Sequence, residues 1–118
     1  MTVTEVAHRL VDLCRKDECI EAQKELYHKD IVSMEPKETG GDITEGLDGI
    51  FKKNKKWASM AEEVHGWEVS DPLIADGYFC TTMMNDVTLK GMGRIQSAEL
   101  CVYEVKDAKI VSEQFFHN

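Results

Sequence analysis

The sequence predicts an α+β domain in which helices come first and an antiparallel sheet follows. Two features of the chain support this prediction. Apolar residues in the first half recur at the three-then-four spacing of a helix surface, whereas from Val64 onward they alternate with a period of two. The 118 residues are enough for one hydrophobic core and too few for two, so we expect residues 1 to 118 to form a single domain.

The helical part is expected to begin at the N-terminus. Thr2 and Glu5 have the spacing of a capping box, and apolar residues repeat at helical intervals over residues 3 to 14. Asp17 is the expected N-cap of a short second helix, and Tyr27 is expected to close it. These signals predict two consecutive amphipathic helices.

An extended stretch and a third helix complete the first half. Residues 31 to 34 are expected to be extended and to stop at Pro36, and Gly40-Gly41 indicates a flexible loop. Thr44 is the expected cap of the third helix, because its hydroxyl can accept a hydrogen bond from the first turn. The apolar side of that helix carries Leu47, Ile50, Phe51, Trp57, Ala58 and Ala61.

The second half is expected to form four strands in a meander. Predicted turns interrupt the alternation at Asp71-Pro72, Asp76-Gly77, Lys90-Gly91 and Lys106-Asp107-Ala108. Along residues 92 to 105, one face of the strand is more apolar than the other. The face that we expect to point inward carries Ile95, Ser97, Glu99, Cys101, Tyr103 and Val105.

The charge balance excludes two classes of partner. With 22 acidic and 14 basic side chains the net charge is −8, which repels phosphate backbones and anionic lipid surfaces. We therefore expect neither a nucleic acid nor a membrane as a partner. The basic run of residues 52 to 56 falls on the polar face of the third helix, and we interpret it as solvated.

The cysteines and histidines match no metal motif, and no nucleotide-binding or hydrolase motif occurs, so no cofactor is expected. Cys14, Cys19, Cys80 and Cys101 include no C-x-x-C pair, which predicts four reduced thiols. The N-terminus lacks the features of a signal peptide, and no stretch reaches the ~20 apolar residues of a membrane span. We expect a cytoplasmic protein.

Several segments together resemble a known family. They are two N-terminal helices, residues 26 to 32, the glycine-rich loop, a third helix, and the strands that end in residues 103 to 116. In this order they are similar to the SnoaL-like group of the nuclear transport factor 2-like superfamily. The resemblance implies three helices packed on a strongly curved, mainly antiparallel sheet, an α+β cone with an internal cavity. This fold includes polyketide cyclases, ketosteroid isomerases and many proteins without a known reaction, so function depends on the cavity.

The resemblance also implies a homodimer, because many members of the family associate through the outer face of the sheet. Leu100 and Val102 form an apolar strip on the expected outer face of their strand. We therefore expect a second copy of the chain to cover this strip.

The isomerase pattern of the family transfers to this chain in part. Its general base, an acid before a proline, falls on Glu35 of Glu35-Pro36. The tyrosine that donates to the oxyanion falls on Leu10, and the second strand acid falls near Cys101. The resemblance therefore makes Glu35 a candidate catalytic residue, while two other groups of ketosteroid isomerisation have no counterpart.

Glu99 is the candidate acid that the residues themselves single out. A carboxylate on an otherwise apolar strand face is costly to bury unless it is paired, hydrated by a pocket or neutral. Glu99 could serve a pocket together with Tyr103, or it could be a structural acid hydrogen-bonded to Tyr103 or Ser97. Asp86 is a weaker catalytic candidate near a strand end, where either face could point inward; the alternative is an exposed aspartate beside a turn.

A small-molecule pocket would need apolar and aromatic walls with few polar groups. Asn54 interrupts the apolar stripe of the third helix, and the family pattern points the Glu113 and Phe115 face of the last strand inward. The same residue types at these periods also fit an ordinary core. The candidate ligand-binding residues are Trp57, Asn54, Phe79, Met83, Glu113 and Phe115.

Two functions remain open at this point. One is cofactor-free proton transfer, isomerase-like or cyclase-like, on a small apolar carbonyl compound. In that function Glu99 or Glu35 moves the proton and Tyr103 donates to the developing oxyanion. The other is a non-catalytic ligand-binding or dimerisation domain. An open cavity beside Glu99 favours the enzyme, and a filled interior excludes it.

Overall fold

Helices occupy the first half of the chain, as the sequence predicts. The computed structural model describes residues 1 to 117. Its helices are α1 (Val3–Arg15), α2 (Cys19–Leu26) and α3 (Gly46–Met60), and a short 3-10 helix covers Lys37–Thr39. None of these helices has the length and hydrophobicity of a membrane span. The cytoplasmic location stays a prediction.

The strands of the described residues form one mixed, seven-stranded sheet. Its order is β2-β1-β7-β6-β5-β3, and β4 pairs with β5 beside this path. The pairing of β1 with β7 is parallel, whereas the other strand pairs are antiparallel. This architecture confirms the predicted α+β class with three helices on a mainly antiparallel sheet, and the sheet stays open. The strands are β1 (Tyr27–Met34), β2 (Ile43–Glu45), β3 (Ala61–Val69), β4 (Leu73–Ala75), β5 (Tyr78–Leu89), β6 (Gly93–Lys106) and β7 (Lys109–Phe116).

Of the predicted helix caps, one is confirmed and two are wrong. The capping box is present, because Thr2 Oγ1 accepts a hydrogen bond from the Glu5 amide at 3.1 Å and Glu5 Oε1 accepts from the Thr2 amide at 2.9 Å. Asp17 instead lies in the turn before α2 with a φ of 61°, and Glu18 takes the N-cap position. Thr44 belongs to β2, since pairing with β1 keeps its backbone extended, and α3 begins after it.

The second half contains five strands, so the prediction of a four-stranded meander is wrong. The additional strand, β4, has only three residues and forms a short hairpin with the start of β5. Because β4 pairs only with the first residues of β5, the rest of that edge of β5 is available to pair with β3. The predicted turn between β6 and β7 is confirmed: Asp107 and Ala108 have φ values of 50° and 63°, as a tight hairpin requires.

Two of the cysteines are bonded to each other, so the prediction of four reduced thiols is wrong. Cys14 at the end of α1 and Cys19 at the start of α2 form a disulfide. Cys80 and Cys101 are free, and Cys101 is buried. The sequence spacing held no signal for this bond, because the turn between the two helices is what brings the sulfurs together.

The hydrophobic core lies between α1 and the concave face of the sheet. Val6 and Leu10 on the buried stripe of α1 belong to one cluster with Phe79 of β5 and Tyr103 of β6. The register of β5 with β6 also fixes the face of β5 that the sequence left ambiguous. The concave side of β5 carries Phe79, Thr81, Met83, Asn85 and Val87.

Candidate functional site

The most buried carboxyl group of the described chain lies on the concave face, where β7 meets β1. Glu113 is only 3% exposed, and the Tyr27 hydroxyl donates a hydrogen bond to its Oε1 at 2.7 Å. Burial raises the pKa of Glu113 to about 7, although the Tyr27 hydrogen bond and the charge of Lys53 act in the opposite direction. A large fraction of Glu113 therefore keeps its proton at neutral pH.

Lys53 of α3 reaches toward the same region, so the prediction of a fully solvated basic run is wrong for this residue. Its Nζ donates to Glu35 Oε1 at 2.5 Å and to Ser33 Oγ at 2.8 Å. The same atom lies 5.6 Å from the centre of the Phe115 ring. The other lysines of the run are exposed. Glu35, the candidate general base by resemblance, is thus one half of an ion pair.

Replacing Lys53 tests how much this ion pair contributes to stability. We expect Lys53→Met to lower the free energy of unfolding by about 1 to 2 kcal/mol, because it removes two charge-assisted hydrogen bonds from partly buried groups. The neighbouring Lys52 is exposed and provides the control, since Lys52→Met should change stability by less than ~0.5 kcal/mol. Urea unfolding at pH 7 measures both, and equal effects of the two substitutions would contradict the structural role of Lys53.

Glu99 lies where the sequence predicts it, on the concave face of β6. Its register partner on β5 is Met83. Burial raises the pKa of Glu99, the charge of Glu35 adds to that rise, and His117 and Lys53 oppose it. The predicted placement is confirmed by this register, whereas a role in catalysis stays a prediction.

Tyr103 and Phe79 pack together in the core. Their ring centroids lie 4.7 Å apart with 19° between the planes, and the two side chains are 2% and 1% exposed. Phe79 is therefore part of the core, which corrects its prediction as a ligand-binding residue. Burial raises the pKa of Tyr103 well above its ordinary value, so its hydroxyl keeps its proton and can only donate or accept a hydrogen bond.

An apolar pocket of about 510 Å³ opens between the helices and strands β3 and β5. Three of the predicted ligand-binding residues, Trp57, Asn54 and Met83, line it. The Asn54 side-chain amide donates to Gln23 Oε1 at 2.5 Å and so links α3 to α2 at the wall. Because Met83 lines the pocket and pairs with Glu99, the pocket and Glu99 are neighbours on one face.

Asp86 lies on the opposite, convex face, so its prediction as a catalytic residue is corrected. Its carboxylate accepts hydrogen bonds from Arg94 at 2.9 and 2.7 Å and from Gln96 at 3.2 Å. The bond from Arg94 is the main reason why the pKa of Asp86 falls to about 2. A carboxylate held in this way is a surface ion pair, as expected for an aspartate near a turn.

Some of the predicted site residues line the pocket, namely Trp57, Asn54 and Met83, and others lie in a group of polar side chains on the concave face. We call this group of polar side chains the acid cluster; it consists of Tyr27, Ser33, Glu35, Lys53, Glu99 and Glu113. Phe115 lies beside the acid cluster. Within residues 1 to 117 no His, Cys, Asp and Glu side chains are grouped in a way that could hold a metal ion.

Tyr27, Ser33 and Lys53 were not predicted as site residues. For the first two the sequence does contain a signal, because Tyr27, Ile31 and Ser33 are an even number of residues apart and lie buried on one face of β1. A strand predicted to begin at residue 31 does not include Tyr27, so this alternation is not recognised. For Lys53 the helical spacing placed it among solvated lysines, and only the packing of α3 on β1 turns it inward.

Comparison with known protein families identifies the chain. The family model described as a SnoaL-like domain matches residues 1–117. The chain belongs to the SnoaL-like family. The resemblance predicted from its segments is therefore confirmed. A search of curated protein sequences finds no match to this SnoaL-like chain.

Solved structures with the same fold include several SnoaL-like and related proteins. A candidate SnoaL-like polyketide cyclase from Mesorhizobium loti is 29% identical, with a TM-score of 0.92 over 99% of this chain and 100% of its own. An NTF2-like protein of unknown function from Burkholderia pseudomallei is 9% identical, with a TM-score of 0.81 over 100% of this chain and 92% of its own. A protein with a ketosteroid isomerase-like fold from Catenulispora acidiphila, in complex with trimethylamine, is 15% identical, with a TM-score of 0.75 over 99% of this chain and 88% of its own.

Proposed function

We propose that this SnoaL-like domain catalyses cofactor-free proton transfer at a carbon next to a carbonyl group in a small, largely apolar molecule. The observation that carries the proposal is that Glu99, a carboxyl group with a raised pKa, pairs in register with Met83 of the apolar pocket. A second carboxyl group with a raised pKa, Glu113, lies on the same concave face. Perturbed acids beside a pocket are typical of proton-transfer sites. The similarity to a candidate polyketide cyclase agrees with this class of reaction.

Glu99 is the group that moves the proton in this proposal. The Glu99 carboxylate takes a proton from the carbon next to the carbonyl, and the bonding electrons move onto the carbonyl oxygen to give an enolate. The oxyanion needs a hydrogen-bond donor on the pocket wall. Glu113 and Tyr103 are 3% and 2% exposed and are not among the residues that line the pocket, so neither is given this task. Glu99 then returns the proton to another carbon of the same system in an isomerisation. In a cyclisation the enolate carbon attacks a second carbonyl, and Glu99 gives the proton to the alkoxide that this attack forms.

Deuterium exchange tests the proposal without knowledge of the natural substrate. The probes are 2-tetralone, cyclohex-2-enone and a Δ5-3-ketosteroid, each incubated in D2O with the protein and followed by proton NMR. We expect the exchange of protons next to the carbonyl in at least one ketone to exceed the buffer rate by about 100-fold or more. Saturable binding of the ketones with exchange at the buffer rate would contradict the proposal.

The second candidate function is ligand binding without catalysis. It is favoured by Leu10, which is 1% exposed in the core at the position where the isomerase pattern has its tyrosine. A ketone that binds but does not exchange is the result that this candidate predicts.

We propose, in addition, that the convex face of the sheet forms a homodimer. Leu100 of β6 is 40% exposed and pairs in register with Phe116 of β7, which is 45% exposed, and Met84 of β5 is 48% exposed on the same face. Burial of such apolar surface gains about 25 cal/mol per Å². These side chains therefore supply the apolar strip that a second copy would cover.

A single substitution on this face tests the proposed dimer interface. Wild type should sediment as a dimer at micromolar concentration, and Leu100→Glu should sediment as a monomer, because it places two charges in the apolar contact. Met92→Glu is the control, since Met92 is also an exposed apolar side chain but lies in the turn before β6. A monomeric wild type, or a dimer that tolerates Leu100→Glu, would contradict the proposed interface.

A further inference from the structure

The pocket has an aromatic character that the proposed function does not use. Trp57 of α3 and Trp67 of β3 both line it, and their side chains are 47% and 40% exposed. The Trp67 Nε1–H donates to the carbonyl oxygen of Cys14 at 3.0 Å, which fixes the indole ring against the end of α1. The pocket therefore offers two accessible indole rings, at least one of them held in place by a hydrogen bond.

The charges around the same pocket are all of one sign. Its lining includes four carboxylates, Asp17, Glu18, Glu21 and Glu68, and among the described residues that line it there is no lysine, arginine or histidine. Glu21 makes a long, exposed ion pair with Lys24 at 3.8 Å. No ion pair involves the other three carboxylates within residues 1 to 117. These four carboxylates form a negative rim, and the cations that interact with two of them, Arg9 with Glu18 and Lys24 with Glu21, are not among the residues that line the pocket.

This rim is built into the fold. The disulfide between Cys14 and Cys19 closes the turn that carries Asp17 and Glu18, and both cysteines line the pocket. Arg15 Nη2 donates to the carbonyl oxygen of Val69 at 2.8 Å, which ties the end of α1 to β3. The carboxylates of this turn are therefore held at the mouth of the pocket by covalent and hydrogen bonds on both sides.

We infer that the ligand of this pocket is an organic cation, a molecule with an apolar or aromatic body and a quaternary or protonated amine. A cation gains attraction from the faces of indole rings and from the carboxylates at the rim, whereas an anion meets like charge. A volume of about 510 Å³ suits a molecule of that size. This inference rests on the proposed function only because both concern the same pocket. It adds that the substrate carries a positive charge.

Three probes of nearly identical shape separate charge from hydrophobicity. They are phenethyltrimethylammonium, its neutral analogue (3,3-dimethylbutyl)benzene, and the anion 3-phenylpropanoate, each titrated into the full chain and followed by NMR. We expect the ammonium ion to bind about tenfold or more tightly than the neutral analogue, and 3-phenylpropanoate to bind least. The affinity of the ammonium ion should fall as NaCl rises from 50 to 500 mM, because salt screens the carboxylates of the rim.

A matched pair of double variants tests whether the carboxylates of the rim cause the preference for the ammonium ion. Asp17→Asn with Glu18→Gln removes two carboxylates from the turn, and asparagine tolerates the positive φ at position 17. We expect the ammonium ion to lose about fivefold or more in affinity, while the neutral analogue is unchanged. Asp12→Asn with Glu62→Gln removes the same net charge from exposed positions outside the pocket and should leave both affinities unchanged.

The outcomes also distinguish this inference from the proposed function. Equal affinities for the ammonium ion and its neutral analogue, or binding of neither, would overturn the cation assignment. An equal loss of ammonium affinity in both double variants would overturn it as well, since the effect would then come from net charge. If the ammonium ion binds selectively and the ketones bind saturably without exchange of their protons, the cation assignment stands and proton transfer is excluded.

Discussion

Glu113→Gln should become steadily more stable than wild type as the pH rises from 4 to 8. The pKa of Glu113 is about 7 in the folded protein against 4.5 for an ordinary glutamate. Between these values the unfolded chain releases the proton while the folded protein keeps it, so wild type loses stability as the pH rises through this window. The loss amounts to about 3 kcal/mol when complete, and it is absent below the lower value, where both states are protonated.

Glutamine does not titrate, and its side-chain oxygen can still accept the hydrogen bond from Tyr27. The difference in unfolding free energy between Glu113→Gln and wild type should therefore grow by about 3 kcal/mol across the pH range, as measured by urea unfolding at each pH. Lys53, Glu35 and Glu99 act on the same carboxyl group and are present in both proteins. Glu62→Gln, at an exposed position on β3, is the control, and it should not reproduce the pH-dependent gain of Glu113→Gln. A constant difference for Glu113→Gln would show that Glu113 titrates normally.

Glu99→Gln should abolish proton exchange in the ketone probes while keeping the fold intact. General bases contribute about 10²- to 10⁴-fold to the rate, so exchange should fall by that factor. Stability should be unchanged or raised, because the substitution removes a half-buried acid whose charged form is disfavoured by burial. A structural acid would behave differently, since loss of a buried polar contact destabilises a protein by about 1 to 3 kcal/mol.

Glu104→Gln is the matched control for this experiment, because Glu104 lies on the same strand with its side chain on the opposite face, bonded to Tyr78. It should leave the exchange rate unchanged. Thermal melts and exchange rates on both variants separate the two roles of Glu99. Unchanged exchange in Glu99→Gln would move the proposed base to another member of the acid cluster and contradict the assignment.

The sequence contained the elements of the fold because local patterns specify them. The capping box at Thr2, the alternation along β6 and the turn at Asp107 each act over a few residues, and all three appear in the structure. The boundaries that failed depend on partners distant in sequence. Thr44 was predicted to cap a helix, but its segment pairs with β1, and this pairing outweighs the local preference for a cap.

The candidate site could be predicted for the strand residues and not for the helix residues. The parity of β6 alone places Glu99 on the concave face, so its position followed from the sequence. Lys53 sits among lysines that look alike, and its ion pair with Glu35 depends on how α3 packs against β1. The position of the acidic turn at residues 17 and 18 could not be predicted from the sequence either. Its place at the pocket mouth depends on the Cys14–Cys19 disulfide and on the packing of α1 against β3.

A carboxyl titration by carbon-13 NMR tests the central claim most directly. The glutamate carboxyl carbons are followed from pH 3 to 9, first in the free protein and then with saturating 2-tetralone. We expect the pKa of Glu99 to lie above that of an ordinary glutamate in the free protein, and to change when the ketone binds next to it. A Glu99 that titrates like an ordinary glutamate and does not respond to the bound ketone would contradict the assignment of a proton-transfer site beside the pocket.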